Sequence, residues 1–171
     1  MDTTTELLIK RAYANPRLRQ NIVNKSMICL YCDYSGFVAQ NNHGAACCFV
    51  FNRTIRVTAK KIMMEYIEGS NYGELLAVRY SLEILASALT EYEPKFAIIY
   101  TDCSQIANIL SKDYFSHSHY KDARDEILAV LHHLNNMYPN VHIQIKYISK
   151  HKKNNTLHRL AHNAARQAAI N

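Results

Sequence analysis

Three runs of β-forming residues lie almost end to end between positions 26 and 63, and they constrain the fold more than any other feature of the chain. SMICLYCDYSG (26–36) is apolar and rich in β-formers, and HGAACCFVF (43–51) follows the polar turn QNNHG. TIRVTAKKIM (54–63) alternates, with Ile55, Val57 and Ala59 on one face and Arg56, Thr58 and Lys60 on the other. That is the period of a half-buried strand. Connections this short point to an antiparallel meander.

After position 70 the period changes. In NYGELLAVRYSLEILASAL, Leu75, Val78, Leu82, Leu85 and Leu89 recur at helical spacing. KFAIIYTD (95–102) follows Pro94 and reads as a buried strand. A short helix, SQIANIL, and an amphipathic one, DARDEILAVLHHLNNM, come next, the second ending before Pro139. VHIQIKYIS (141–149) alternates again, and the last helix carries the stripe Leu157, Leu160, Ala161, Ala164, Ala165, Ala168 and Ala169. The order βββαβααβα predicts an α/β fold with a mixed five-stranded sheet flanked by helices: three antiparallel strands, then two parallel additions. Residues 26–171 are read as this domain. Residues 1–25 are read as a basic extension with a helix and a break at Pro16. Its Lys10, Arg11, Arg17, Arg19 and Lys25 either touch nucleic acid or sit on a surface segment.

The 171 residues suffice for one domain with a real core, and 49% hydrophobic against 20% charged residues excludes a disordered chain. A net charge of +6 suits an acidic partner such as nucleic acid, or equally a basic protein kept soluble by its charge. The N-terminal stretch holds no long apolar run, so neither a signal peptide nor a membrane span is expected. Cys29, Cys32, Cys47, Cys48 and Cys103 lie in apolar stretches and make no pair of CxxC motifs. Core thiols and a reducing, cytoplasmic setting follow. No dimer surface is legible, and a monomer is expected.

Three carboxylates look out of place. Asp33 interrupts an apolar strand, Asp102 ends another, and Glu74 opens the long helix on or beside its buried stripe. Glu83 and Glu91 read as solvated charges. A buried carboxylate needs a cation or a metal. Singly, Asp33 could pair with a buried Lys or Arg, and Asp102 could cap the next helix. Together, a centre strand, its neighbour and an adjacent helix can bring all three to one spot, as hard oxygen ligands for Mg²⁺ or Mn²⁺.

These residues resemble the type 1 ribonuclease H family. The matching stretches are CDYSG around Asp33, SNYGELLAV around Glu74, IIYTDCSQI around Asp102, and KH followed by LAHNAARQAA near the end. The resemblance covers about residues 27–170. It implies that Asp33, Glu74 and Asp102 are catalytic and hold two divalent metals, and that the substrate is the RNA strand of an RNA–DNA hybrid. The family's fourth acid lies in a pattern like A-D-x-L-A-R, matched to Ala161-His162-Asn163-Ala164-Ala165-Arg166. His162 then stands for the aspartate as a catalytic metal ligand. Its imidazole suits Mn²⁺ better than Mg²⁺ and should weaken the second site without abolishing the chemistry. His151, in ISKHKKNN, matches the family's histidine on the loop before the last helix, where it would position or deprotonate water, or aid product release. Lys152 replaces the family's following glycine.

Ser70 and Asn71 match residues that touch the substrate's minor groove, and Lys150, Lys152, Lys153 and Arg166 are expected at phosphates. The family's basic protrusion between the later helices is not evident in SHSHYKDAR. The missing fourth acid also favours a second reading, a weak or inactive nucleic-acid-binding module of the same fold. A 3′–5′ exonuclease of this fold would carry an acid two residues after the first, where this chain has Ser35. His158 and His162 stand at i, i+4, as half of a zinc site would, with no third ligand at good spacing. They read as a polar helix face with one catalytic neighbour, and His117, His119, His132 and His133 as surface residues. Most of the 12 tyrosines are expected to pack in or beside the core.

Overall fold

The computed structural model describes residues 1–64, 70–149 and 152–171, without the side chains of Val38, Ser70 and Lys152. β1 (Met27–Phe37), β2 (Asn42–Phe51) and β3 (Thr54–Ile62) form the antiparallel meander. β4 (Phe96–Thr101) lies parallel to β1, and β5 (His142–Tyr147) parallel to β4, giving the order β3-β2-β1-β4-β5. The predicted sheet is therefore the observed one. Helices α3 (Ser70–Leu89), α4 (Ile106–Ser111) and α5 (Ser118–Met137) link the later strands, and α6 (Thr156–Ile170) closes the chain. α5 starts four residues before the Asp122 predicted for it. Lys121 pairs with Asp125 one turn on at 2.7 Å, and Tyr120 packs against the core.

Alternation along β1 splits the core in two. Ile28, Leu30 and Cys32 face Leu75, Val78, Leu82 and Leu85 of α3 and Ile127 and Leu134 of α5. Cys29 and Tyr31 point the other way, into Leu157, Leu160, Ala161 and Ala165 of α6. α6 comes this close because β2 offers Gly44. A Cβ there would collide with the Ala165 carbonyl and lie 2.7 Å from the Ala169 nitrogen. The five cysteines are free and buried, as expected of core thiols. Burial pushes the Cys29 and Cys47 thiols up to about 12, so they stay protonated and unreactive.

The first 25 residues form two helices, α1 (Thr3–Ala14) and α2 (Pro16–Val23), with Pro16 at the first position of α2. Asp2 caps α1 by accepting from the Thr5 N–H at 2.7 Å, and Asn15 caps α2. Lys10, Arg11, Arg17, Arg19 and Lys25 are exposed, while Leu8, Ala12, Leu18 and Ile22 join the core under α6. The segment expected to lie on the surface thus supplies apolar side chains to the layer that seats α6. Ile22→Ala, at a fully buried site, should cost about 2–5 kcal/mol in denaturant unfolding. A loss below about 0.5 kcal/mol, as at a surface position, would show that the extension contributes nothing to the fold. Among the described residues no helix is long and apolar enough to cross a membrane.

Candidate active site

Asp33 lies on the same face of β1 as Cys29 and Tyr31, toward α6, and is only 2% exposed. Thr101 ends β4, which runs beside β1 in parallel, so Asp102 emerges at the same edge of the sheet. Glu74 reaches that edge from the other layer, in the first turns of α3, and is 7% exposed. The start of α6 completes the enclosure. Asn155 accepts from the His158 N–H at 3.0 Å, and this cap places His158 in the first turn, with His162 one turn further along the same face.

Asp33 and Asp102 come together with His158, and Glu74 lies near enough to feel the charges of both aspartates. Burial pushes the Glu74 carboxyl well above its usual range; the charges of Asp33 and Asp102 and a hydrogen bond with Asp102 push the same way, and the Tyr34 N–H opposes them. Asp33 meets both histidines. The His162 Nδ1–H donates to Asp33 Oδ2 at 2.8 Å, and His158 Nε2 lies 3.5 Å from Oδ1 without hydrogen-bond geometry. Ligand atoms of Asp33, Asp102 and His158 all lie within 4.8 Å of one another. Among the described residues no lysine or arginine pairs with Asp33; the side chains that meet it are those of the two histidines. Gln105, not Asp102, stands at the N-terminus of α4, which removes the capping explanation.

Four buried side-chain atoms have no hydrogen-bond partner among the described residues, and two of them lie here: Glu74 Oε2 and His158 Nε2. Leaving a buried acceptor unmet costs about 1–3 kcal/mol. Both lie on side chains that surround the two aspartates. Three oxygen donors and one imidazole nitrogen, two of them unmet, are a donor set that fits divalent cations, with the nitrogen favouring Mn²⁺ over Mg²⁺.

His158 was expected on a polar helix face; it is instead 6% exposed and grouped with the aspartates. His162, the predicted ligand, is half-exposed and hydrogen-bonded to Asp33. A signal for His158 was present. Leu160-Ala161 follow it at the spacing of L-A after the acid in A-D-x-L-A-R, one turn before the stretch matched to that pattern. Lys153 and the unpredicted Arg159 line a cavity of about 160 Å³ with Asp102, His158 and His162. Arg166 is not in that lining; its guanidinium rides over the Phe37 ring at 5.9 Å. Asn71 accepts from the Cys103 thiol at 3.6 Å and lines a larger cavity, about 560 Å³, with Gln105, Asn108, Lys112, Phe115 and Tyr120. Lys150 and His151 lie outside the described residues, as do the side chains of Ser70 and Lys152.

No curated protein sequence matches the chain. Solved structures do. RNase H1 from the halophilic archaeon Halobacterium salinarum NRC-1 superposes with a TM-score of 0.60 at 15% identity, over 83% of this chain and 96% of that one. The N-terminal RNase H domain of a Mycobacterium tuberculosis protein gives 0.59 at 14%, over 85% and 98%. LC11-RNase H1, isolated from compost and solved in complex with an RNA/DNA hybrid, gives 0.58 at 16%, over 82% and 98%. At such identities the likeness speaks for the fold. A family model described as RNase H, however, matches residues 24–170. That stretch runs from just before β1 to the end of α6 and takes in every element that carries the carboxylates and histidines, so the chain belongs to the RNase H family.

Proposed function

We propose that this chain is a divalent-metal-dependent endonuclease that hydrolyses the RNA strand of RNA–DNA hybrids, with Asp33, Glu74, Asp102 and His158 as its metal-holding residues. The observation that carries the reading is the pair of unmet buried atoms, Glu74 Oε2 and His158 Nε2, beside two aspartates with no lysine or arginine partner on Asp33 among the described residues. When bound, two divalent cations supply water activation and stabilise the leaving 3′ oxygen. Asp33, Glu74 and Asp102 would present carboxyl oxygens to those cations from fixed directions at the end of the strands. His162 orients Asp33 from outside by donating to Oδ2, as imidazole–carboxylate pairs do around metal sites. The role of His151 as a proton carrier near the attacking water remains part of this proposal.

Substrate contacts follow from the two cavities. Lys153 and Arg159 border the site and suit phosphates. Asn71 and the amide- and hydroxyl-rich groove beyond it suit sugar edges, and Phe115 and Tyr120 offer flat faces for sugar or base. The hybrid in the LC11-RNase H1 complex is that protein's ligand; by family membership, the same class of duplex is the substrate proposed for this chain.

The test is cleavage of a labelled hybrid, duplex DNA and duplex RNA in Mg²⁺ and in Mn²⁺. The hybrid alone should be cut, and faster in Mn²⁺. His158→Asp, which replaces nitrogen by oxygen, should shift the preference toward Mg²⁺, whereas His158→Ala should lose about 10–100-fold in Mn²⁺ affinity or rate. Equal rates in both metals at saturation would remove the nitrogen ligand from the account. Hybrid binding without cleavage in either metal would make the chain a binding module.

A further inference from the structure

Gly73, in the first turn of α3 immediately before Glu74, has no room for a side chain. A Cβ there would lie 2.5 Å from Cγ, Cδ1 and Cε1 of Tyr34. The obstacle is the root and edge of a ring, which cannot swing aside as a flexible tip can. Tyr34 directly follows Asp33 in β1 and turns its ring to the other face of the sheet, the side covered by α3.

The far end of the ring is tied down. The Tyr34 hydroxyl lies 2.7 Å from His43 Nδ1, and His43 Nε2 lies 3.1 Å from Asn41 Oδ1. An amide oxygen only accepts, so Nε2 carries the imidazole proton and Nδ1 accepts from the tyrosine hydroxyl. His43 is fully buried, its ring is within 13° of parallel to the phenol, and it pairs with Gly36 across the β1–β2 ladder. The tie is therefore anchored in the sheet. The Tyr34 main-chain N–H also favours the charged form of the Glu74 carboxyl, whose Oε2 has no hydrogen-bond partner among the described residues.

We propose that Tyr34 is a positioning residue: its ring, wedged against Gly73 and tied through its hydroxyl to His43, sets the first turn of α3 so that Glu74 presents Oε2 to the metal site. The idea rests on the metal-dependent reading above. It adds a device that nothing in that reading requires, an aromatic wedge between β1 and the helix turn that carries Glu74.

The test uses the full chain, with Mn²⁺ binding followed by calorimetry and hybrid cleavage resolved into kcat and KM. Alanine forms helix better than glycine, so any loss in Gly73→Ala does not come from a weaker helix. Gly73→Ala should weaken Mn²⁺ binding about tenfold to a hundredfold and lower kcat, while KM for the hybrid stays within about twofold. In a Tyr34→Ala background the same exchange should cost nothing further, because the ring it strikes is gone. Tyr34→Phe, which keeps the wedge and loses only the tie to His43, should fall between native and Gly73→Ala in Mn²⁺ affinity. Native-like Mn²⁺ binding in both Gly73→Ala and Tyr34→Phe would overturn the positioning role, as would equal damage from Gly73→Ala with and without the ring. A native chain that binds no Mn²⁺ would overturn the metal reading itself, a failure distinct from that of Tyr34.

Discussion

Asp102→Asn should leave a folded protein that cleaves RNA–DNA hybrid about 10³-fold more slowly than the native chain, a loss of about 4 kcal/mol in transition-state stabilisation. Asp102 stands just beyond the last residue of β4, with its ligand atom within 4.8 Å of those of Asp33 and His158. An amide of the same shape keeps the packing but removes the charge that a second cation needs. Circular dichroism and a thermal melt check the fold, and gel cleavage in Mn²⁺ checks the rate. A variant that cuts as fast as the native chain would remove Asp102 from the chemistry.

Glu74→Gln carries the second large effect, and it has two opposite signs. Activity should fall as far as in Asp102→Asn, because the helix-borne oxygen ligand is lost. Stability in EDTA should rise. The Glu74 carboxyl is buried, crowded by Asp33 and Asp102, and one of its oxygens has no partner. An uncharged amide there removes the cost that burial and the two aspartates place on ionising this group, so the variant should melt above the native chain in EDTA, by more as pH rises. With saturating Mn²⁺ the order should reverse, since the native chain gains binding free energy that the variant cannot. A Glu74→Gln protein that melts below the native one in EDTA would mean that this carboxylate is a structural asset, not a site held at a cost in stability for function.

The strands and carboxylates were legible because each breaks a local pattern. Asp33 interrupts SMICLYC, and Asp102 follows IIYT, where a charge needs a cationic partner, a cap or a metal. The meander was legible from its short turns and period-2 runs. His158 was legible only through the Leu160-Ala161 spacing, because helical periodicity gives its face relative to His162 but not which turn of α6 lies over β1. That register is set by the Asn155 cap and by the approach of α6 to Gly44, both tertiary facts. The Tyr34–His43–Asn41 tie was hidden for the same reason, since it joins residues on two strands through a turn whose path the sequence does not specify. In the extension, the pairs Leu8/Ala12 and Leu18/Ile22 have i, i+4 spacing, but the basic residues between them drew the reading toward a surface segment.

Crystals of the native chain soaked in Mn²⁺ and measured at the manganese absorption edge test the central claim most directly. The account predicts anomalous density within coordination distance of Asp33, Glu74, Asp102 and His158 Nε2, with His162 still donating to Asp33. Manganese bound only elsewhere on the surface, with these four side chains left closed on one another, would contradict it.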